Sequence, residues 1–402
     1  MRLAVVGPTY PIKGGISHYT TLLVRALRKE HEVLFISYKY QYPHFLYPGT
    51  GQTSEDQSPI IEEAEFLWHT LQPWSLTAIA KRTRDFQADG VVLTWVTHFF
   101  GWHIATLARR IHKIAGCPVV LLCHNVKQHE DRPLEGPVTR MAFNAVDGFI
   151  VHSEEDLNNL RRYRPDAPIR KNFHPTYDIF ASTAEWTREK AREKLGIRDE
   201  PMVLYFGAVR AYKGLKWLIE AAPAIVATVA GCQIWCVGDY WDGPDAFASR
   251  AQELGVLFDP HNPVAGGVRI VDRYVPNEEV GMYFGATDLL VLPYESATQS
   301  GIVQIAYGFK KPCIVTDVGG LPEVVLNGKT GYVVPPQNAE AIAMKTAEFF
   351  SGGDKLRMRF ETEIAEWRKV FDWQHMVRTI EDLLEGPGRS YAPSADGSGR
   401  KT

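Results

Sequence analysis

At 402 residues the chain is too long for one compact core, and about 150 residues per domain predicts two or three domains. Hydrophobic residues make up 45% and charged residues 23%, which excludes a disordered or collagen-like chain. Forty-four lysines and arginines against 47 acidic residues leave a formal charge of −3, so no bulk attraction to nucleic acid is expected. The charge divides unevenly: residues 1–180 carry 20 basic and 18 acidic groups, and residues 181–402 carry 24 and 29. Five cysteines, Cys117, Cys123, Cys232, Cys236 and Cys313, are an odd number scattered on apolar segments. They read as reduced core thiols of a cytoplasmic protein, not as a disulfide framework. The opening MRLAVVGP is too short for a signal peptide, and no run of about 18 apolar residues predicts a membrane-spanning helix.

The dominant rhythm is a short apolar run, a turn and an amphipathic helix. Residues 3–7 (LAVVG), 119–123, 203–207, 233–238, 288–293 and 313–316 read as strands buried on both faces. Helical spacing covers Ser17 to Arg28, with Ser17 as the expected cap, then Gly101 to Ala115, Gly214 to Val229, Asn277 to Ala286 and Ala339 to Phe350. Strand–helix alternation predicts parallel sheets with right-handed crossovers. The series restarts after a charged stretch at 183–199. The expected fold is therefore α/β, with two doubly wound, Rossmann-like domains facing across a cleft. The first spans 1–180 and the second 198–370, with a disordered tail at 387–402.

Ligands of open parallel sheets bind beyond the carboxyl ends of the strands, so the loops there carry the functional reading. Gly14 and Gly15 precede a helix; they serve either a tight turn or the close approach of backbone amides to an anion. The spacing is not GxGxxG, which argues against a dinucleotide-binding dehydrogenase. Arg210 and Lys213 leave the strand 203–207, as a diphosphate clamp or as solvated charges. Thr298, Gln299, Ser300 and Gly301 open a helix, either as an anion site or as a simple cap, with Thr298 or Ser300 supplying the hydroxyl. His124 and His129 follow the strand 119–123, without the HExxH zinc spacing.

Together these loops resemble the retaining glycosyltransferases of the two-domain GT-B type, family 4. The likeness runs from about Met1 to Leu384 and rests on PIKGG, HNV, FGAVRAYKGL, SATQSGIVQIAYGFKKPCIVTDVGGLPEVV and NGKTGYVVPPQN. It implies a nucleoside-diphosphate sugar as co-substrate, held mainly by the C-terminal domain, and no cofactor. It implies catalytic roles for His124, at the donor sugar, and for Arg210 and Lys213, at the leaving diphosphate. Donor contacts are implied for Gly14, Gly15, Gly238, Tyr274, Val275, Thr298, Gln299, Ser300, Gly301 and Ile302, with Tyr274 and Val275 meeting the nucleobase. The closing segment, about 373–386, resembles a helix that crosses back onto the N-terminal domain.

No DxD is present, so a metal clamp is not expected, and side-chain cations would do its work. The family's E-x7-E glutamates fall on Thr298 and Ala306, or on Ala297 and Ile305, depending on the anchor. Glu295 and Gln304 are the expected substitutes, on the sugar and the ribose. The arginine that the family places directly after the strand glycine is Ala208 here, with Arg210 as its replacement. The run TDVGGLPEVV reads as mostly architectural. The implied acceptor is a glycan or lipid-linked glycan of surface polysaccharide or glycolipid biosynthesis, with peripheral contact at the inner face of a membrane. Basic clusters at Lys81–Arg84, Arg109–Lys113 and Arg161–Arg164 either touch anionic lipid or are solvated helix faces. The rival functions are a nucleotide-sugar epimerase and a non-catalytic scaffold of the same fold.

Overall fold

A computed structural model of the protein describes residues 1–42, 53, 61–127, 135–182, 186–259 and 266–386. His129 and the expected disordered tail lie outside them, as does part of the charged stretch at 183–199.

The N-terminal half holds seven strands: β1 (Arg2–Val6), β2 (Glu32–Tyr40), β3 (Glu65–His69), β4 (Gly90–Trp95), β5 (Val119–Cys123), β6 (Gly148–Val151) and β7 (Ile169–Lys171). All pair in parallel in the order β3-β2-β1-β4-β5-β6-β7. Around them lie α1 (Gly15–Leu27), α2 (Trp74–Asp85), α3 (Gly101–Ile114), α4 (Glu135–Phe143) and α5 (Glu154–Tyr163). The connection to the second half contains α6 (Ile179–Ser182) and α7 (Arg188–Leu195). The second sheet comprises β8 (Met202–Phe206), β9 (Gln233–Gly238), β10 (Gly267–Asp272), β11 (Leu289–Leu292), β12 (Cys313–Thr316) and β13 (Gly331–Val334). It too is parallel, in the order β10-β9-β8-β11-β12-β13. Its helices are α8 (Leu215–Thr228), α9 (Asp245–Glu253), α10 (Asn277–Ala286), α11 (Gly301–Gly308), α12 (Leu321–Val324), α13 (Ala339–Ser351) and α14 (Gly353–Trp367), followed by α15 (Trp373–Glu385). Both sheets are the doubly wound kind the sequence predicts, with order reversals at β1/β4 and β8/β11.

Alternation explains the two-sided burial. Ala4, Val6, Val91, Leu93 and Leu121 pack on one face with residues of α2 and α3, including Leu76, Ile79, Ile104 and Ile111. Leu3, Val5, Val92, Val120 and Leu122 join the other cluster, which takes in α1 and continues through Tyr177 and Phe180 into the second half. Completely buried parallel strands read as unbroken apolar runs for this reason. All five cysteines are buried and unpaired.

One local reading changes. Ser17 does not cap the first helix: Gly14 is the N-cap residue, and Ser17 sits in the first turn, buried, its hydroxyl without a partner. The run TDVGGLPEVV is architectural, as its sequence reads. Glu323 accepts the Glu154 N–H at 2.9 Å and pairs with Lys171 at 3.0 Å, so α12 is tied to the start of α5 across the halves.

The C-terminal helix does cross back. Leu384 and Leu383 fill the space where Gly90 and Gly148 lack a side chain, Glu381 pairs with His31 at 3.0 Å, and Trp373 stacks edge-on against Tyr19.

The linker is fixed to the second sheet by one carboxylate. Asp288, 5% exposed, pairs with Arg192 and Arg188 at 2.6 Å each and accepts the Met202 N–H at 2.9 Å. Removing it strands a buried guanidinium, and Asp288→Ala should lower the unfolding free energy by about 3–5 kcal/mol. Urea denaturation of the two proteins measures the difference; a change under about 1 kcal/mol contradicts the role.

Candidate active site

The carboxyl ends of the two sheets face a common cavity of about 620 Å³. It is lined from the first half by Lys13, Gly14, Gly15, His18, His124 and Asn125, and from the linker by His174 and Tyr177. The second half contributes Arg210, Lys213, Gly238, Asp239, Trp241, Arg273, Tyr274 and Val275, together with Thr298 through Ile302.

The strand order accounts for the meeting. β8 pairs with β11, so the loop carrying Arg210 and Lys213 lies beside the loop that ends in Ser300. Gly214, at φ 62°, closes the first of these loops, and a side chain there would meet the Pro293 carbonyl at 2.0 Å. Ser300 is the N-cap residue of α11 but makes no side-chain cap bond, so the leading amides of the helix are not consumed by its hydroxyl. Gly238 lets β9 approach β8: a Cβ there would lie 1.9 Å from the Gly207 carbonyl oxygen. Gly14 has φ 115°, as the turn reading requires, with open space where a Cβ would stand.

Among the described residues the lining carries four basic side chains, Lys13, Arg210, Lys213 and Arg273, against one carboxylate, Asp239. Neither Arg210 nor Lys213 has an ion-pair partner among the described residues. Burial, and then the neighbouring Arg210, bring the Lys213 ammonium down to about 8. Arg273 is held by Glu279 and by the Tyr283 hydroxyl.

Three histidines stand just beyond three adjacent strands: His124 after β5, His152 after β6 and His174 after β7. Their rings surround the Tyr19 ring, with centroids 4.7, 5.3 and 4.8 Å away. Burial, and then the other two imidazoles, hold His124 well below the ordinary histidine range. Burial takes His152 to about 4 and His174 to about 3. That direction favours the neutral imidazole, and the His124 Nε2 is buried without a hydrogen-bond partner. Its loop is anchored beneath by Asp156, which accepts the Val126 N–H at 2.8 Å. In front, the Thr298 hydroxyl donates across the cleft to the Asn125 side-chain oxygen.

Of the residues singled out by sequence, two fall outside the lining. Glu295 turns away because Lys216 at 2.9 Å, the Trp217 indole N–H at 2.7 Å and Gln337 at 3.2 Å engage its carboxylate. The Lys216 contact, with the other two, holds it below the usual carboxylate range. Gln304 lies one turn along α11, buried, with its side-chain oxygen unpartnered; Gly301, Ile302 and Ile305 hold the cavity side. Neither replaces the family glutamates at this surface. Ala297, Thr298 and Ile305 do line the cavity, so those positions are occupied without acid. Sequence reading passed over Lys13, Asn125, His174, Tyr177, Asp239 and Trp241. Lys13, Asn125, Asp239 and Trp241 sit on strand-end loops and were open to the same rule; His174 and Tyr177 follow β7, a three-residue strand (IRK) without an apolar run to mark it.

Residues 13–171 match Glycosyltransferase Family 4, and residues 200–351 match Glycosyl transferases group 1. The chain belongs to the family 4 glycosyltransferases of GT-B fold. It is 25% identical over 240 residues to the alpha-D-kanosaminyltransferase of Streptomyces kanamyceticus, covering 56% of this chain and 59% of that one. It is 24% identical over 311 residues to the D-inositol 3-phosphate glycosyltransferase of Nocardioides, covering 72% and 66%. The chain thus spans about six-tenths of the length of these relatives. Among solved structures, Anabaena HepE in complex with UDP superposes with a TM-score of 0.71 at 16% identity, over 96% of this chain and 100% of that one. Sucrose-phosphate synthase of Thermosynechococcus elongatus gives 0.67 at 19%, over 96% and 98%.

A lysine that loses its proton near pH 8 holds an anion only below that point. With UDP as probe, affinity should fall roughly tenfold between pH 7 and pH 9, and Lys213→Ala should abolish that slope. Calorimetric titration at the two pH values decides; an equal slope in the variant removes Lys213 from the anion site.

Proposed function

We propose that the protein transfers a glycosyl group from a nucleoside-diphosphate sugar to a hydroxyl acceptor with retention of configuration. The observation that carries this reading is the convergence of Arg210, Lys213 and the leading end of α11 on one cation-rich cavity. Cleavage of the sugar–phosphate bond places charge on the diphosphate and positive character on the sugar. Fixed cations and amide donors at the diphosphate favour the transition state over the bound substrate. The charge is offset by side chains, so the proposal assigns no metal. Tyr274 and Val275 at the end of β10 are placed at the nucleobase, and Gly14 and Gly15 at the diphosphate or sugar. UDP, the ligand of HepE, supports a nucleotide donor here.

His124 is proposed to hydrogen-bond the donor sugar as a neutral imidazole. Asp239 is the lining's one carboxylate among the described residues and stands on the strand-end loop of β9, between the loop of Arg210 and that of Tyr274. With no acid placed at the sugar, same-face attack within an ion pair accounts for retention better than a covalent glycosyl-enzyme. The same shortage disfavours the epimerase alternative, which needs acid and base groups in the cleft.

The acceptor is proposed to be a glycan or lipid-linked glycan. Arg82 is paired with Glu65 and Arg84 with Asp85, and Arg164 is turned into the fold toward the Phe143 and Val146 carbonyls, so the basic clusters are partly spent. Exposed Trp74 and Trp102, 67% and 44% accessible, open α2 and α3 at the cleft-side edge of the first sheet. Lys81, Arg109 and Lys113 are exposed further along the same helices. Indoles beside cations suit an anionic bilayer surface.

Two measurements test these readings. His124→Ala should lower kcat by about 10²–10³-fold while leaving UDP affinity within about twofold, as the loss of a transition-state contact requires. Unchanged kcat removes His124 from the transition state, and no turnover of any common donor by the unaltered protein favours the scaffold alternative. Sedimentation with vesicles should show binding that rises with anionic lipid and falls in Trp74→Ser/Trp102→Ser; equal binding to neutral and anionic vesicles ends the membrane reading.

A further inference from the structure

Arg210 stands two residues beyond the position where the family pattern has its arginine, which is Ala208 here. The residue is extended, at φ −137° and ψ 156°, and two extended residues displace a side chain by about 6–7 Å. A flexible guanidinium so displaced needs a support if it is to meet the same anion from its new origin.

That support is on the neighbouring strand end. The Arg210 guanidinium carbon lies 3.5 Å from the centroid of the Trp241 ring. The Val209 N–H donates to the Asp239 carbonyl at 2.8 Å, and Val209 and Tyr240 form a parallel bridge, so the two loops continue the β8–β9 pairing past the strands. The bridge sets Arg210 and Trp241 side by side, each one residue further on. Stacking occupies the face of a guanidinium and leaves its edge N–H groups free to donate. Both residues line the cavity, and the indole is 40% exposed.

We propose that Trp241 is a positioning residue for Arg210: its ring fixes the relocated guanidinium so that the N–H edge faces the donor diphosphate. The role rests on the donor reading above. Trp241 takes no part in bond breaking; it removes the rotamer freedom that Arg210 would otherwise lose on binding.

A double-mutant cycle on UDP affinity tests it. Trp241→Ala should weaken UDP about 3- to 10-fold, and Trp241→Phe should recover part of the loss, because a smaller ring still stacks. In an Arg210→Ala background the same Trp241→Ala change should have no further effect. A loss that persists undiminished in that background means the indole touches the ligand directly and overturns the proposal, as does an unaltered affinity in Trp241→Ala. A second readout needs no ligand: the emission attributable to Trp241, taken as the difference from Trp241→Phe, should change in Arg210→Ala. If it does not, the stack is absent and the proposal fails whatever binds. If the stack is present but the unaltered protein does not bind UDP or any other nucleoside diphosphate, the donor reading fails and takes this role with it.

Discussion

Two cations share one desolvated strand end, and much of the cleft follows from that. Among the described residues Arg210 and Lys213 have no ion-pair partner, and burial, with the repulsion of Arg210 added, brings the lysine down to about 8. An arrangement of this kind is unfavourable in the empty protein and becomes favourable when an anion enters. The fold tolerates it because the strain is local: the loop is closed by Gly214 and braced by the Glu295 N–H donating to the Tyr212 carbonyl at 2.7 Å. Glu295 is thus a supporting residue. Its carboxylate binds Lys216 and Trp217 at the start of α8, behind the loop that presents the cations.

Backbone proximity is the second requirement. A cavity that serves phosphate oxygens needs main-chain groups close together, and the contacts that would exclude side chains cluster there. A Cβ on Gly238 would strike Gly207, and one on Gly319 would lie 1.4 Å from the Ala297 carbonyl oxygen. Gly320, in turn, packs against Ser153 of the opposite half, next to the Glu323–Lys171 pair. The turn at Gly319 and Gly320 therefore also fixes how the halves meet.

Most strands were legible because parallel strands buried on both faces leave uninterrupted apolar runs. The strands LAVVG, VVLLC and CIVT of the sequence reading match the observed ones to within a residue. The strand-end rule then led to Arg210, Lys213 and Ser300 without any tertiary information. It gave a wrong helix cap at Ser17, since a serine two residues inside a glycine-led helix has the same local signature as one at its start. Glu295 and Gln304 were misplaced because sequence spacing fixes which loop a residue is on but not which way its side chain turns. The row of histidines was illegible for a different reason: His124, His152 and His174 are neighbours only because β5, β6 and β7 are. His174 and Tyr177 came from the linker, where the Tyr177 hydroxyl donates to the Gly15 carbonyl at 3.1 Å.

The absence of glutamates at the family positions is consistent with the rest of the cleft and need not mean lost function. A carboxylate at Thr298 would require the Asn125 amide to turn over and donate through its NH2, losing the orientation in which its Oδ1 now accepts the Thr298 hydroxyl. An acid there would also favour protonation of the nearby His124, whose neutrality depends on burial among other imidazoles. The histidine row and the acid-free loop are thus mutually consistent: neither places a carboxylate beside His124, while Arg210 and Lys213 carry their charge at the end of β8. On the proposed reading, in which the diphosphate leaves at Arg210 and Lys213, charge placed in that way stabilises the leaving group as it develops.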